Sequence, residues 1–187
     1  MGCFPPRKWL LVCSPEVSSP TPCLKQDQSP TKSSSTSLFS WQAMEQLVDE
    51  GLVKSVGVSN FNVSQLERLL SVCRIKPATN QVELHPYLTQ PQLVEYCKSK
   101  GIVLIAYREN SPVPLLENPM VNEIAQKHGK TSAQVLVRFH IQRGIATIPK
   151  SITPARIVEN AEVYVFHLTR KEIKTLEGLD YNTRFIK

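Results

Sequence analysis

From Trp41 onward the apolar positions switch between two periods. Trp41, Met44, Leu47 and Val48 recur at helical spacing, and Gly51 closes that helix. A short apolar strand, Ser55-Val56-Gly57-Val58, follows. Asn62 with Gln65 three residues on makes a capping box for a helix whose apolar stripe is Leu66, Leu69, Leu70 and Cys73. The next strand is Asn80-Gln81-Val82-Glu83-Leu84, and Thr89 with Gln92 is expected to cap a helix carrying Leu93, Tyr96 and Cys97. Gly101 ends it before a fully apolar strand, Ile102-Val103-Leu104-Ile105-Ala106. A loop over about 107–118 leads to a helix that runs to His128 and stops at Gly129. Thr131 and Gln134 open another, with Val135, Leu136 and Phe139 inward, and Ile145-Ala146-Thr147-Ile148 is the fourth strand. Thr153 with Pro154 at the first helical position starts a further helix, and Thr169 with Glu172 boxes the last one.

Strands alternate with helices and no hairpin signal interrupts them, the pattern of a parallel α/β domain. The strands are short and apolar, as expected where both faces are covered. No G-x-G-x-x-G follows the first strand, so a Rossmann fold lacks its phosphate loop. A (β/α)₈ arrangement fits better, yet four strands are visible and a complete barrel takes about 250 residues. The chain has 187.

Ahead of residue 40 the composition changes. Residues 1–40 hold 6 of the 14 prolines and nine serines, ending in Ser33-Ser34-Ser35-Thr36-Ser37. Such a segment buries too little apolar surface to offset its ordering entropy. The expected organisation is therefore a disordered Ser/Pro-rich tail over 1–35 and a folded region over 36–187. With 41% hydrophobic and 20% charged residues, a globular core is feasible. No apolar run reaches the ~20 residues of a membrane-spanning helix. The five-residue run Trp9–Cys13 is too short for a secretory signal, and proline at position 6 argues against myristoylation of Gly2. The 5 cysteines lack C-x-x-C spacing, which removes support for zinc ribbons and redox pairs, and their odd number points to a reduced, cytoplasmic setting. The net charge of +6 is spread along the chain without interleaved aromatics, so nucleic acid is not an expected partner. Neither H-x-x-x-H nor G-x-S-x-G occurs, leaving zinc hydrolysis and a serine elbow without a motif.

Three blocks carry a resemblance. Gly51–Phe61 (GLVKSVGVSNF), Asn80–Leu88 (NQVELHPYL) and Ile148–Asn160 (IPKSITPARIVEN) resemble the aldo-keto reductases, in the family's order. The resemblance runs from about residue 36 to 187. It implies a partial (β/α)₈ TIM barrel, strands five to eight with their helices, and an NADPH-dependent reduction of aldehydes and ketones. Residue by residue, Ser59, Asn60 and Gln81 resemble the groups that hold the nicotinamide carboxamide, for which they offer donors and acceptors. Tyr107 resembles the tyrosine that stacks on the nicotinamide and leaves one face open. Lys150, Ser151 and Arg156 resemble the grip on the 2′-phosphate of NADPH, a dianion that calls for charge-assisted hydrogen bonds. Ile152 and Thr153 belong to the same cofactor-binding turn, and Glu159 and Asn160 resemble the adenine contacts. Taken singly, each has a plainer reading: Ser59 and Asn60 a turn at a strand end, Tyr107 a rim tyrosine, Lys150 and Arg156 solvated charges. The joint spacing reverses those readings.

In the family the proton donor is a tyrosine tuned by a lysine–aspartate pair, with a histidine orienting the carbonyl. All four come from the first half of the barrel, and the Ser/Pro-rich segment contains no tyrosine and no histidine. No catalytic residue is therefore assigned, and the chain is expected to act poorly or not at all on a small carbonyl substrate. It reads as a shortened form. His85 is expected to be a packed or rim residue. After Tyr107 the sequence Arg108–Pro114 departs from the family's turn, so closure over the cofactor is expected to differ. Half a barrel has open sheet edges and an uncovered apolar wall, so self-association is an expected behaviour.

Overall fold

The computed structural model describes residues 10–13, 33–107 and 115–185. Strand β1 (Leu10–Cys13) is followed by α1 (Ser33–Asp49), β2 (Ser55–Ser59), α2 (Val63–Leu70), β3 (Thr79–Glu83), α3 (Pro91–Ser99) and β4 (Val103–Tyr107). A single 3₁₀ turn at Leu115–Glu117 leads to α4 (Pro119–His128), α5 (Ser132–Gln142), β5 (Ala146–Thr147), α6 (Pro154–Ala161) and α7 (Arg170–Glu177). The sheet order follows the sequence, β1-β2-β3-β4-β5. β1 with β2 and β4 with β5 are parallel, in registers such as Val12 opposite Gly57 and Ile105 opposite Ala146. Consecutive parallel strands joined by helices are the construction of part of a (β/α)₈ barrel.

Two parts of the stretch expected to be a disordered tail are ordered. Leu10–Cys13 forms β1, and α1 begins at Ser33. The apolar, partly β-branched run Leu10-Leu11-Val12 suits a strand once β2 supplies a partner, which no local pattern announces. The rest of that stretch, 1–9 and 14–32, lies outside the described residues, as does the altered turn Arg108–Pro114.

The chain divides into two compact units, split within β3. The first comprises the described residues up to Asn80 together with Tyr96–Ile102. Its buried side chains include Trp41, Met44, Val56, Val58, Phe61, Leu66, Leu69 and Cys97. α1 is anchored through Glu45, a buried carboxylate. Its Oε1 accepts from Trp41 Nε1 at 3.1 Å and from the backbone N–H groups of Arg74 and Ile75 at 2.8 Å each. Three donors on one oxygen offset the cost of burying the charge.

The second unit comprises Gln81–Glu95 and the described residues from Val103 onward. Its core brings together Tyr87, Leu115, Val121, Ile124, Val135, Phe139, Val163, Phe166, Leu168 and Leu176. Three of the four expected boxes and caps form as read: Asn62–Gln65 on α2, Thr131–Gln134 on α5 and Thr169–Glu172 on α7. The fourth does not. α3 begins at Pro91, which leaves Thr89 one residue ahead of the cap position; its hydroxyl donates to Asp180 Oδ2 at 2.5 Å and its N–H to the same oxygen at 3.2 Å.

Candidate functional site

The residues singled out in the sequence fall on both units. In the first, Ser59 is the last residue of β2 and Asn60 follows it in the left-handed region, φ 59°. An asparagine tolerates that conformation better than most residues. The chain beyond is fixed by buried Asn80, whose Nδ2 donates to the Phe61 carbonyl at 2.9 Å.

In the second unit, Gln81 is half-buried in β3 and Tyr107 ends β4, its hydrogen-bonded neighbour being Leu84, whose N–H donates to the Tyr107 carbonyl at 3.2 Å. A cavity of about 130 Å³ opens at the carboxyl ends of β4 and β5, where Tyr107 and Lys150 share one wall set with His85, Leu136, His140 and Ile148. This is the end of the strands at which (β/α)₈ active sites form. The cavity is below the ~300 Å³ at which drug-sized ligand pockets begin, so it accepts a fragment of a ligand, such as one flat ring.

Buried His140 forms part of its lining. Burial pushes the His140 imidazole down to about 3, helped by the positive Arg143 and by His85, with a backbone hydrogen bond to Leu84 pulling the other way. His85 is packed, as expected: its Nε2 lies 3.1 Å from Glu83 Oε1 and its ring stacks on Phe185 at 4.8 Å. Glu83 Oε1 also accepts from the Phe185 N–H at 2.8 Å. The segment after α7 is thereby strapped over the turn that follows β3. Thr183 N–H donates to the Tyr87 carbonyl at 3.1 Å, and the Tyr87 and Tyr181 rings stack at 4.8 Å. The strap and the burial of His140 depend on partners far along the chain, which no local pattern announces.

The turn from β5 into α6 holds the remaining residues. Lys150 and Arg156 are exposed and make no ion pair with the described residues. Ser151 Oγ accepts from the Thr153 N–H at 3.1 Å, which shapes the turn. Ile152 is 84% exposed. Thr153 is the N-cap of α6 but makes no side-chain cap, so the first N–H groups of that helix lack the partner that α2, α4, α5 and α7 have. Glu159 faces α5, accepting from Thr131 Oγ1 at 2.5 Å and, through its carbonyl, from Gln134 Nε2 at 3.0 Å. Asn160 beside it is half-buried.

The sequence model of the Aldo/keto reductase family matches residues 27–110 and 109–181. The chain belongs to the aldo/keto reductase family. It is 46% identical over 156 residues to aldo-keto reductase family 1 member A1-A of Danio rerio, covering 78% of this chain and 48% of that protein. It is 45% identical over 172 residues to aldose reductase B of Dictyostelium discoideum, covering 91% and 55%. Among solved structures, an aldo-keto reductase complexed with NADPH superposes with a TM-score of 0.73 at 39% identity, covering 79% of this chain and 48% of that one. A silkworm (Bombyx mori) aldo-keto reductase superposes with a TM-score of 0.74 at 40% identity.

This aldo/keto reductase chain thus spans about half the length of the curated relatives it matches. The solved neighbours make its parallel strands part of a (β/α)₈ barrel. Among the described residues no helix is long and apolar enough to cross a membrane, and no cluster of three or more His, Cys, Asp or Glu is placed to hold a metal.

Proposed function

We propose that the chain binds NADPH and that these 187 residues by themselves do not turn over aldehydes or ketones at enzymatic rates. The observation that carries the first part is the β5–α6 turn. Among the described residues Lys150 and Arg156 make no ion pair, and they flank the start of α6, where Thr153 makes no side-chain cap, unlike the starts of α2, α4, α5 and α7. Orphan N–H groups and the positive end of a helix favour a phosphate, and an arginine fork adds two parallel hydrogen bonds. The adenosine 2′-phosphate is the group that fits, with Ser151, Ile152 and Thr153 shaping the turn and Glu159 and Asn160 at the adenine. In the second unit Tyr107 offers a flat wall for the nicotinamide and Gln81 an amide-type partner for its carboxamide; in the first unit Ser59 and Asn60 resemble the family's carboxamide-holding residues. The bound dinucleotide would supply a hydride. The chain's residues orient the ring, exclude water from its stacked face and neutralise the phosphate.

The second part rests on the sequence. The family's proton-donating tyrosine and its lysine, aspartate and histidine partners come from strands outside the matched blocks, so none of those roles is assigned. A carbonyl compound remains the substrate class. A cytoplasmic setting is our reading of the odd cysteine number and of Cys97, whose thiol burial pushes up to about 11, away from easy oxidation.

Titration of NADPH fluorescence tests the cofactor reading. Arg156→Ala and Lys150→Ala are expected to weaken binding about tenfold or more each, the scale of a lost charge-assisted bond. Equal affinity in all three proteins rejects it. Oxidation of NADPH with a simple aldehyde at ~1 s⁻¹ or faster, the range of ordinary enzymes, would reject the second part alone.

A further inference from the structure

The turn between β3 and α3 is strained and held from several elements at once. Gln90 sits in the left-handed region at φ 45°, directly ahead of Pro91. That conformation crowds the Cβ of an ordinary residue, and a following proline pushes the backbone toward extended values instead. Such strain persists only where the surroundings over-determine it, and it concentrates at ligand clamps and switch regions. Here the surroundings do so. Gln90 Nε2 donates to the Glu83 carbonyl at 2.8 Å, and Arg143 Nη2, at the end of α5, donates to the Thr89 carbonyl at 3.1 Å. Asn118 Nδ2, at the start of α4, donates to Tyr87 Oη at 2.9 Å. The segment after α7 supplies the rest. Asp180 accepts from the Thr89 hydroxyl and N–H, the Tyr181 ring lies on Tyr87, and Phe185 stacks on His85 while its N–H meets Glu83. Burial alone would raise the Asp180 carboxyl. The bonds from the Thr89 hydroxyl and from the Asn182 and Thr89 N–H groups outweigh burial and hold it below the usual range, so the carboxylate is the form that grips the turn.

Leu84, His85 and Pro86, at the head of this turn, line the cavity that Tyr107 and Lys150 also line. We infer that the segment Asp180–Phe185 is a clamp that sets this wall, with Asp180 and Phe185 as positioning residues of the ring pocket. The argument is geometric. Asp180, Tyr181, Phe185 and Thr89 are absent from the cavity lining, so they act on it only through the turn. Phe185 bears directly on His85, with ring centroids 4.8 Å apart and planes within 22°. A wall built on a strained turn keeps its shape only while its restraints hold. A flat ring in a slot of about 130 Å³ needs that shape, because a gap of ~0.5–1 Å already forfeits a quarter to a half of the dispersion attraction. For the ring it receives, the inference rests on the cofactor reading. For the placement of His85 it does not. Every residue named belongs to the second unit.

Asp180→Ala in the 187-residue chain is the test, read with and without ligand. Without ligand, the His85 Hε1 magnetic resonance signal, which lies in the ring current of Phe185, is expected to shift while the far-UV circular dichroism spectrum stays that of the parent. With ligand, NADPH is expected to lose about tenfold in affinity. Adenosine 2′,5′-bisphosphate, which carries the phosphate end without the nicotinamide, should bind the variant as it binds the parent. Thr89→Val, which removes only the hydroxyl, provides the same readings if Asp180→Ala does not fold. An unmoved His85 signal overturns the clamp. An equal loss for both ligands also overturns it, since that is what a merely structural residue gives, and so does an unchanged NADPH affinity beside a shifted His85. A parent that binds neither ligand, with His85 shifted in the variant, supports the clamp on His85 and counts against the cofactor reading alone.

Discussion

Glu172 shows how much one side chain does in a helix start. It fills the third position of the α7 capping box and also accepts from Lys127 Nζ at 2.6 Å, with His128 Nε2 at 3.0 Å from its other oxygen. Burial alone would raise its carboxyl. The bonds from Lys127, the Thr169 backbone, His128 and the Thr169 hydroxyl outweigh burial and hold it at about 2. The unfolded value is near 4.3, so the folded state favours the carboxylate. That contribution is complete above about pH 5 and is lost as pH falls through the window from ~4.3 to about 2. Glu172→Gln is expected to cost about 1.5–3 kcal/mol at pH 7, the range for hydrogen bonds to a charged group. The gap to the parent should close below pH 4 in urea melts taken at successive pH values. A gap that stays constant down to pH 2 would show that the charge is irrelevant. The sequence announced the Thr169–Glu172 pair because its partners are three residues apart. It was silent on Lys127 and His128, which lie 45 and 44 residues away.

The same contrast runs through the elements. Helices whose start signals are local were legible, as Asn62, Thr131 and Thr169 show. The start of α3 departs from its sequence pattern because the helix begins at Pro91, leaving Thr89 one residue short of the cap position and bonded to Asp180, 91 residues along the chain. β1 was missed because four residues become a strand only when β2 lies alongside. The candidate site was legible in outline through its three family blocks, but its uncapped helix start and the neutral His140 wall needed the fold. β2 adds a constraint that its apolar pattern does not reveal. A methyl group at Gly57 would collide with the Thr79 hydroxyl and sit 3.0 Å from the Thr79 carbonyl oxygen. Thr79 Oγ1 is itself buried without a hydrogen-bond partner. Gly57→Ala is therefore expected to cost about 1–3 kcal/mol, as overpacking does. Thr79→Ala should be mild, and the double variant should recover part of the Gly57→Ala loss. Chemical denaturation of the four proteins measures that coupling. Simple additivity would remove the steric account and leave only backbone conformation as the cause.

For the molecule as a whole, the cofactor reading becomes a statement about stability. Tyr107, Lys150, Ser151 and Arg156 all belong to the second unit. A ligand held there stabilises whatever unfolds with that unit. At a concentration 100 times its dissociation constant a ligand adds about 2.7 kcal/mol, which for a chain of this size is a rise in Tm of roughly 5–10 °C. NADH at the same concentration lacks the 2′-phosphate and should raise Tm by less. Arg156→Ala should shrink that difference by lowering the NADPH response and leaving the NADH response in place. Val158 is exposed on α6, about 160° around the helix from Arg156, so both cofactor responses should persist in Val158→Asp. Equal responses to NADPH and NADH in the parent protein would mean that the β5–α6 turn does not read the phosphate. Loss of both responses in Val158→Asp would mean that the turn depends on the opposite face of this eight-residue helix as well.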